Sequence, residues 1–159
     1  MQIIKDNKIV QDDWRDVADD EALPAGKFTV SYARWQAEKA ALRLSDYEKG
    51  LRLRGEDPIE SIAGDLKHFA LICIEFPTMG DGRGFSTARL LRERYGFAGE
   101  IRARGHFIRD QMFFLARVGV NGFEFPPEQR LESLLPALQE FTVKYQAAAD
   151  EKQPLYRRR

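Results

Sequence analysis

Hydrophobic residues come in short clusters along this chain, and their period shifts repeatedly between that of a strand and that of a helix. Ile3-Ile4 and Ile9-Val10 flank Asp6-Asn7, which predicts a small N-terminal hairpin. Residues 12–27 are acidic and contain Pro24 and Gly26, which predicts a loop. Phe28-Thr29-Val30 reads as a short strand. Ser31 is placed to cap a helix running to about Leu44, with Trp35 and Leu42 facing inward. Gly50 to Arg54 alternates like a strand. Asp57-Pro58-Ile59-Glu60 carries the signals of a helix start. Phe69 to Phe76 is a nearly unbroken apolar run of strand length, so it is expected to be the most buried strand. A helix follows from Phe85 to Tyr95, with Ser86 as its cap and Gly96 past its end. Then come a strand over Gly99–Arg104, a helix over His106–Val118 and a strand over Gly122–Phe125. From Glu128 to about Ala148, Leu131, Leu134, Leu135, Leu138, Phe141 and Tyr145 fall on one helical stripe. Pro136 within it predicts a kink or a late start.

About five strand–helix units in succession predict an α/β fold with a mainly parallel sheet. Residues 1–148 are expected to form one domain, and 149–159, ending in three arginines, a flexible basic tail. Two architectures fit: a curved, half-barrel-like sheet, or an open doubly wound sheet. Arg52 and Arg54 share one face of their strand, and Arg102 and Arg104 share one face of theirs. A strand with helices on both sides does not carry two arginines on one face, which favours the curved sheet with a polar concave side.

Composition narrows the function classes. The 159 residues include 25 Lys+Arg, 25 Asp+Glu, two His and one Cys. No apolar stretch approaches the ~20 residues that span a bilayer, and the N-terminus lacks the apolar centre of a signal peptide, so a cytoplasmic protein is expected. One cysteine neither closes an internal disulfide nor holds an iron–sulfur cluster alone, so no metal and no cofactor are expected. Zero net charge argues against a nucleic-acid partner. That balance conceals an asymmetry: residues 1–30 carry seven acids against four bases, and residues 81–117 carry eight arginines against four acids. Arginine suits fixed, planar contacts to carboxylate, phosphate or sulfate.

In parallel β/α architectures, sites form in the loops after strand C-termini. The loop after the central strand brings Asp81, Gly82, Arg83, Gly84 and Ser86 to a helix start, where free amides and the helix dipole favour an anion. Arg102, Arg104 and Arg109 are further anion-binding candidates. Glu75 and His106 lie near strand ends as acid/base candidates, with an ion pair as the plainer role for Glu75. Cys73, inside an apolar strand, is expected to be a buried small hydrophobe.

The run from Ala70 to Phe125 contains Glu75-Phe76-Pro77, Asp81-Gly82-Arg83-Gly84-Phe85-Ser86, Arg89, Arg92, Gly99-Glu100, Arg102 and Arg109-Asp110-Gln111. In this pattern it resembles an uncharacterised proteobacterial family of short proteins labelled as oxidoreductases involved in sulfite reduction. That label comes from the position of the genes beside the sulfite reductase gene, so the resemblance implies a pathway rather than a reaction.

Three functions follow as expectations. The first is an accessory or small-anion-binding protein of assimilatory sulfur metabolism, with sulfite reductase or another protein of that pathway as partner. The second is a small enzyme on a phosphorylated or sulfated metabolite, with Arg83 holding the anion and Glu75 or His106 moving a proton. The third is a structural or interaction protein derived from a partial barrel. The exposed sheet edges of an incomplete barrel make a homo-oligomer an expectation under all three.

Overall fold

A computed structural model describes residues 1–76, 82–105, 107 and 109–141. The expected basic tail, Asp81 and His106 therefore lie outside the described residues. The N-terminal hairpin forms from β1 (Gln2–Lys5) and β2 (Lys8–Gln11), with Asp6 and Asn7 both at positive φ in the turn. Next come β3 (Arg15–Asp16), β4 (Phe28–Ser31) and α1 (Tyr32–Leu42). Ser31 caps α1 by accepting the Arg34 amide, and Trp35 and Leu42 are buried, as the pattern predicts. β5 (Lys49–Arg54) leads into a 3₁₀ helix (Ile59–His68), then β6 (Leu71–Phe76), α2 (Arg83–Glu93) and β7 (Glu100–Gly105). α3 (Arg109–Arg117), β8 (Gly122–Glu124) and α4 (Leu131–Phe141) complete the described chain.

The eight strands form one sheet in the order β2-β1-β8-β7-β6-β5-β4-β3. From β8 to β3 every neighbouring pair is parallel, and the hairpin adds to the β8 edge antiparallel. β6 is interior, as its apolar run predicts. Register sorts its two faces. Leu51, Ile72 and Ile101 form one row, and Leu53, Ile74, Ala103 and Phe123 the next. All of these are buried, on the face that the helices cover. α1 packs on β4 and β5, α2 on β6, and α4 on β1 and β2. On the other face Arg52, Cys73 and Arg102 align, followed by Arg54, Glu75, Arg104 and Glu124.

That second face is concave. β7 and β3 are four strands apart, which is roughly 19 Å across a flat sheet. Yet Arg104 on β7 lies 2.7 Å from Asp16 on β3. In the opposite direction Arg102 reaches Asp12, just beyond β2, at 3.1 Å. Only a sheet curled into a half-barrel brings both carboxylates within reach, so the curved architecture is the one adopted.

Three local expectations are corrected. The segment after Asp57 is a 3₁₀ helix rather than an α-helix: Asp57 turns back to accept the Arg54 amide at 2.8 Å and leaves the next element uncapped. α2 begins at Arg83, so Ser86 lies inside it rather than at its cap. The loop expected over 12–27 contains the two-residue strand β3.

Candidate functional site

The concave face is an ion-pair lattice built by alternation. Arg102 is 1 % exposed, and its guanidinium meets Glu100 at 2.9 Å, Asp12 at 3.1 Å and Glu124 at 3.4 Å. Burial alone would depress the ionisation of this guanidinium, but Glu100 and Asp12 outweigh it and raise its pKa further, so it stays charged. One row nearer the strand C-termini, Arg104 meets Asp16, Glu124 at 3.1 Å and Glu75 at 3.6 Å. Arg52 donates to Thr29 Oγ1 at 2.7 Å and to the carbonyls of Thr29 and Val17, tying β5 to β4 and the end of β3. Burial pushes the Asp16 carboxyl upward. Hydrogen bonds from Arg104 and Thr29, with the charges of Arg104 and Arg52, overcome that and hold it below the usual aspartate range.

Cys73 lies in this lattice with no exposed surface, and burial pushes its thiol up to about 12. It is the inert, buried residue that its strand predicts. Among the described residues no cluster of His, Cys, Asp and Glu is arranged to hold a metal ion.

The lattice ends at the C-terminal mouth of the sheet in a cleft of ≈ 460 Å³, lined by Ser31, Tyr32, Arg52, Arg54, Glu56 and Glu75, among others. Arg54 is 67 % exposed and lies 3.7 Å from Glu75. Glu56 on the cleft wall faces Arg83 across 3.9 Å, and Arg83 is 61 % exposed. Arg83 is the first residue of α2, so the helix N-terminus opens toward the same mouth.

Gly82 occupies the N-cap position with φ −79° and ψ −9°, a conformation open to any residue. Among the described residues, nothing lies within 4 Å of where its Cβ would be. Among the described residues, neither backbone strain nor packing requires glycine there. Gly84 is the opposite case. A Cβ there would overlap the Phe76 ring, so this glycine lets the first turn of α2 lie on β6.

The structure thus divides the candidates. Gly82, Arg83 and Glu75 stand around the mouth. Gly84 supports the packing beneath it, and Ser86 is exposed inside α2. Arg102 and Arg104 sit on the concave face, bound by carboxylates. Asp81 and His106 lie outside the described residues, as does the side chain of Arg109. Asp12, Asp16 and Thr29 complete the charged region without having been singled out as site residues from the sequence, and Arg54, expected on the polar face, stands at its mouth. The acidic excess of residues 1–30 opposite the arginine-rich 81–117 is the signal that points to the two aspartates.

Fold and site together define a small α/β protein: a curled, largely parallel sheet with a salt-bridged concave face and a charged cleft at its strand C-termini. The chain belongs to the family described as Bacterial protein of unknown function (DUF934), whose model matches residues 50–156. The expected membership of an uncharacterised bacterial family is thereby borne out. No curated protein matches the chain. The matched region holds both rows of concave-face arginines, whereas Asp12 and Asp16 precede it. Among the described residues, no helix is long and apolar enough to cross a membrane.

Proposed function

We propose that the protein binds a small oxyanion at the C-terminal mouth of its sheet, as an accessory component of assimilatory sulfur metabolism. The observation that carries this reading is the mouth itself. Exposed Arg54 and Arg83 flank the cleft beside the first turn of α2, whose amides are donors that Gly82 has no side chain to cap. Gly82 leaves the backbone there open to close approach. The pathway rests on the resemblance to proteins labelled for sulfite reduction, and sulfite reductase is the partner that this label suggests.

Melting the wild type, Arg83→Ala and Arg83→Lys over a millimolar series of sulfate and sulfite tests the site. Arg83→Ala should lower stability by less than ~1 kcal/mol, the scale of surface changes. It should weaken anion binding about tenfold or more, because a charge-assisted hydrogen bond contributes roughly 1.5–3 kcal/mol. Lysine should rescue only part of this, since an ammonium lacks the fork. If Arg83→Ala melts far below the wild type and no anion shifts either protein, Arg83 is a structural partner of Glu56 and the reading fails.

A further inference from the structure

Asp16 contributes one carboxylate to a set of donors that resembles an oxyanion site. Arg104 approaches it with both terminal nitrogens, Nη1 to Oδ2 at 2.7 Å and Nη2 to Oδ1 at 3.1 Å. Such a two-pronged contact suits a carboxylate and a tetrahedral oxyanion alike. Thr29 Oγ1 donates to Oδ1 at 2.6 Å, and Arg52 Nη1 stands 3.9 Å from it. Arg104 Nε is buried and 3.1 Å from Glu124, but without hydrogen-bond geometry to it, which among the described residues leaves one donor of this guanidinium unmatched. Arg52 also lines the cleft at the mouth, so the cation beside these donors borders space that a solute can enter.

Charge and geometry both make the carboxylate replaceable. Arg52, Arg54 and Arg104 are balanced by Asp16, Glu75 and Glu124, three charges against three. Withdrawing Asp16 leaves these three cations against two paired anions, with Asp19, Glu56 and Asp57 elsewhere on the cleft wall. The Asp16 side chain is 45 % exposed. It sits at the sheet edge on a two-residue strand, between loops. The backbone beside it is fixed, because Val17 is fully buried and its amide donates to the Thr29 carbonyl at 3.0 Å. A side-chain rotation toward solvent therefore frees the donors without unfolding the edge.

We infer that Arg104 and Thr29, beside the charge of Arg52, form a second oxyanion site, which Asp16 occupies as a tethered competitor and which a free sulfate, phosphate or carboxylate takes when that side chain swings out. The acidic N-terminal segment then sets the threshold for binding. If the carboxylate covers the donors about nine-tenths of the time, the apparent affinity for a free anion is about tenfold weaker than the intrinsic one. This site is separate from the first turn of α2 and does not depend on Arg83.

The test is calorimetric titration of the wild type, Asp16→Asn and Asp16→Asn/Arg104→Gln with sodium sulfate, phosphate or acetate, with chloride keeping ionic strength constant. Asp16→Asn should bind at least one of these anions about tenfold more tightly than the wild type, and the anion preferred identifies the ligand class. Adding Arg104→Gln should abolish the gain, whereas adding Arg83→Ala should leave it intact. A gain that survives Arg104→Gln, or no gain at all, overturns the inference. If Asp16→Asn does not fold, NMR titration of the wild type decides. Sulfate, and not chloride, should move the Arg104 Nε–H and Val17 amide resonances together, and no movement at saturating sulfate overturns the inference.

Discussion

Replacing Arg102 with methionine keeps most of the side-chain volume and removes one buried charge. The Arg102 side chain is 2 % exposed, and the side chains around it, Glu100, Asp12 and Glu124, are 4 %, 10 % and 12 % exposed. Lys5, 3.3 Å from Glu100, and Arg104, 3.1 Å from Glu124, are further cations in contact with these carboxylates. Breaking a buried pair from one side costs roughly 3–5 kcal/mol, because the remaining partner is left desolvated and uncompensated. Glu100 keeps Lys5 and Glu124 keeps Arg104, so the middle of that range is expected. Domains of this size have only about 5–15 kcal/mol in total. With a urea slope of about 2 kcal/mol/M, the midpoint should fall by about 2 M. Urea unfolding followed by circular dichroism at neutral pH measures the shift. A midpoint within about 0.5 M of the wild type would show that the lattice does not hold the curled sheet together.

The paired glycines give a second check. Gly84→Ala drives a Cβ into the Phe76 ring and should cost about 1–3 kcal/mol, while Gly82→Ala should change melting little and instead weaken anion binding. Equal effects of the two on stability would contradict the roles assigned to them. Cys73 should react with thiol reagents only as fast as the protein unfolds, since its thiol is buried and raised to about 12; rapid labelling of the native protein would count against this. Asp16, whose folded pKa is depressed, contributes stability that is fully present above its usual value of 3.8 and is lost as the pH falls through the lower folded value. The stability gap between the wild type and Asp16→Asn should therefore stay constant from pH 7 to about 5 and close below about 4. A gap that widens in acid would mean that the sign is wrong.

The sheet was legible because its signals are local. Alternation in Gly50–Arg54 and Gly99–Arg104 put the arginines on one face and the aliphatic residues on the other, and a one-sided charge pattern on parallel strands requires a face without helices. The apolar run ending at Phe76 had to be interior for the same reason. What escaped was long-range. Arg102 meets Asp12 across 90 positions, and Arg104 meets Asp16 across 88, so no local pattern links them. β3 has two residues and no periodicity to detect. Ser86 carried a capping signal that lost to packing: Gly84 lets the chain approach Phe76, and α2 starts at Arg83 instead. Asp57 lost its capping role to the nearer amide of Arg54. At the mouth, Arg83 and Gly82 were visible as a glycine-flanked arginine before a helix. Arg54 and Glu56 were hidden because nothing in their own segment marks them as neighbours of that helix.

The central claim is an oxyanion at the C-terminal mouth, and anomalous diffraction from crystals grown with selenate tests it most directly. Selenate reproduces the shape and charge of sulfate, and selenium locates it without ambiguity. The account predicts a selenium peak within hydrogen-bond distance of the first-turn amides of α2, with the Arg83 or Arg54 guanidinium turned toward it. Selenium bound elsewhere on the protein at saturating selenate, with none at the mouth, would contradict it.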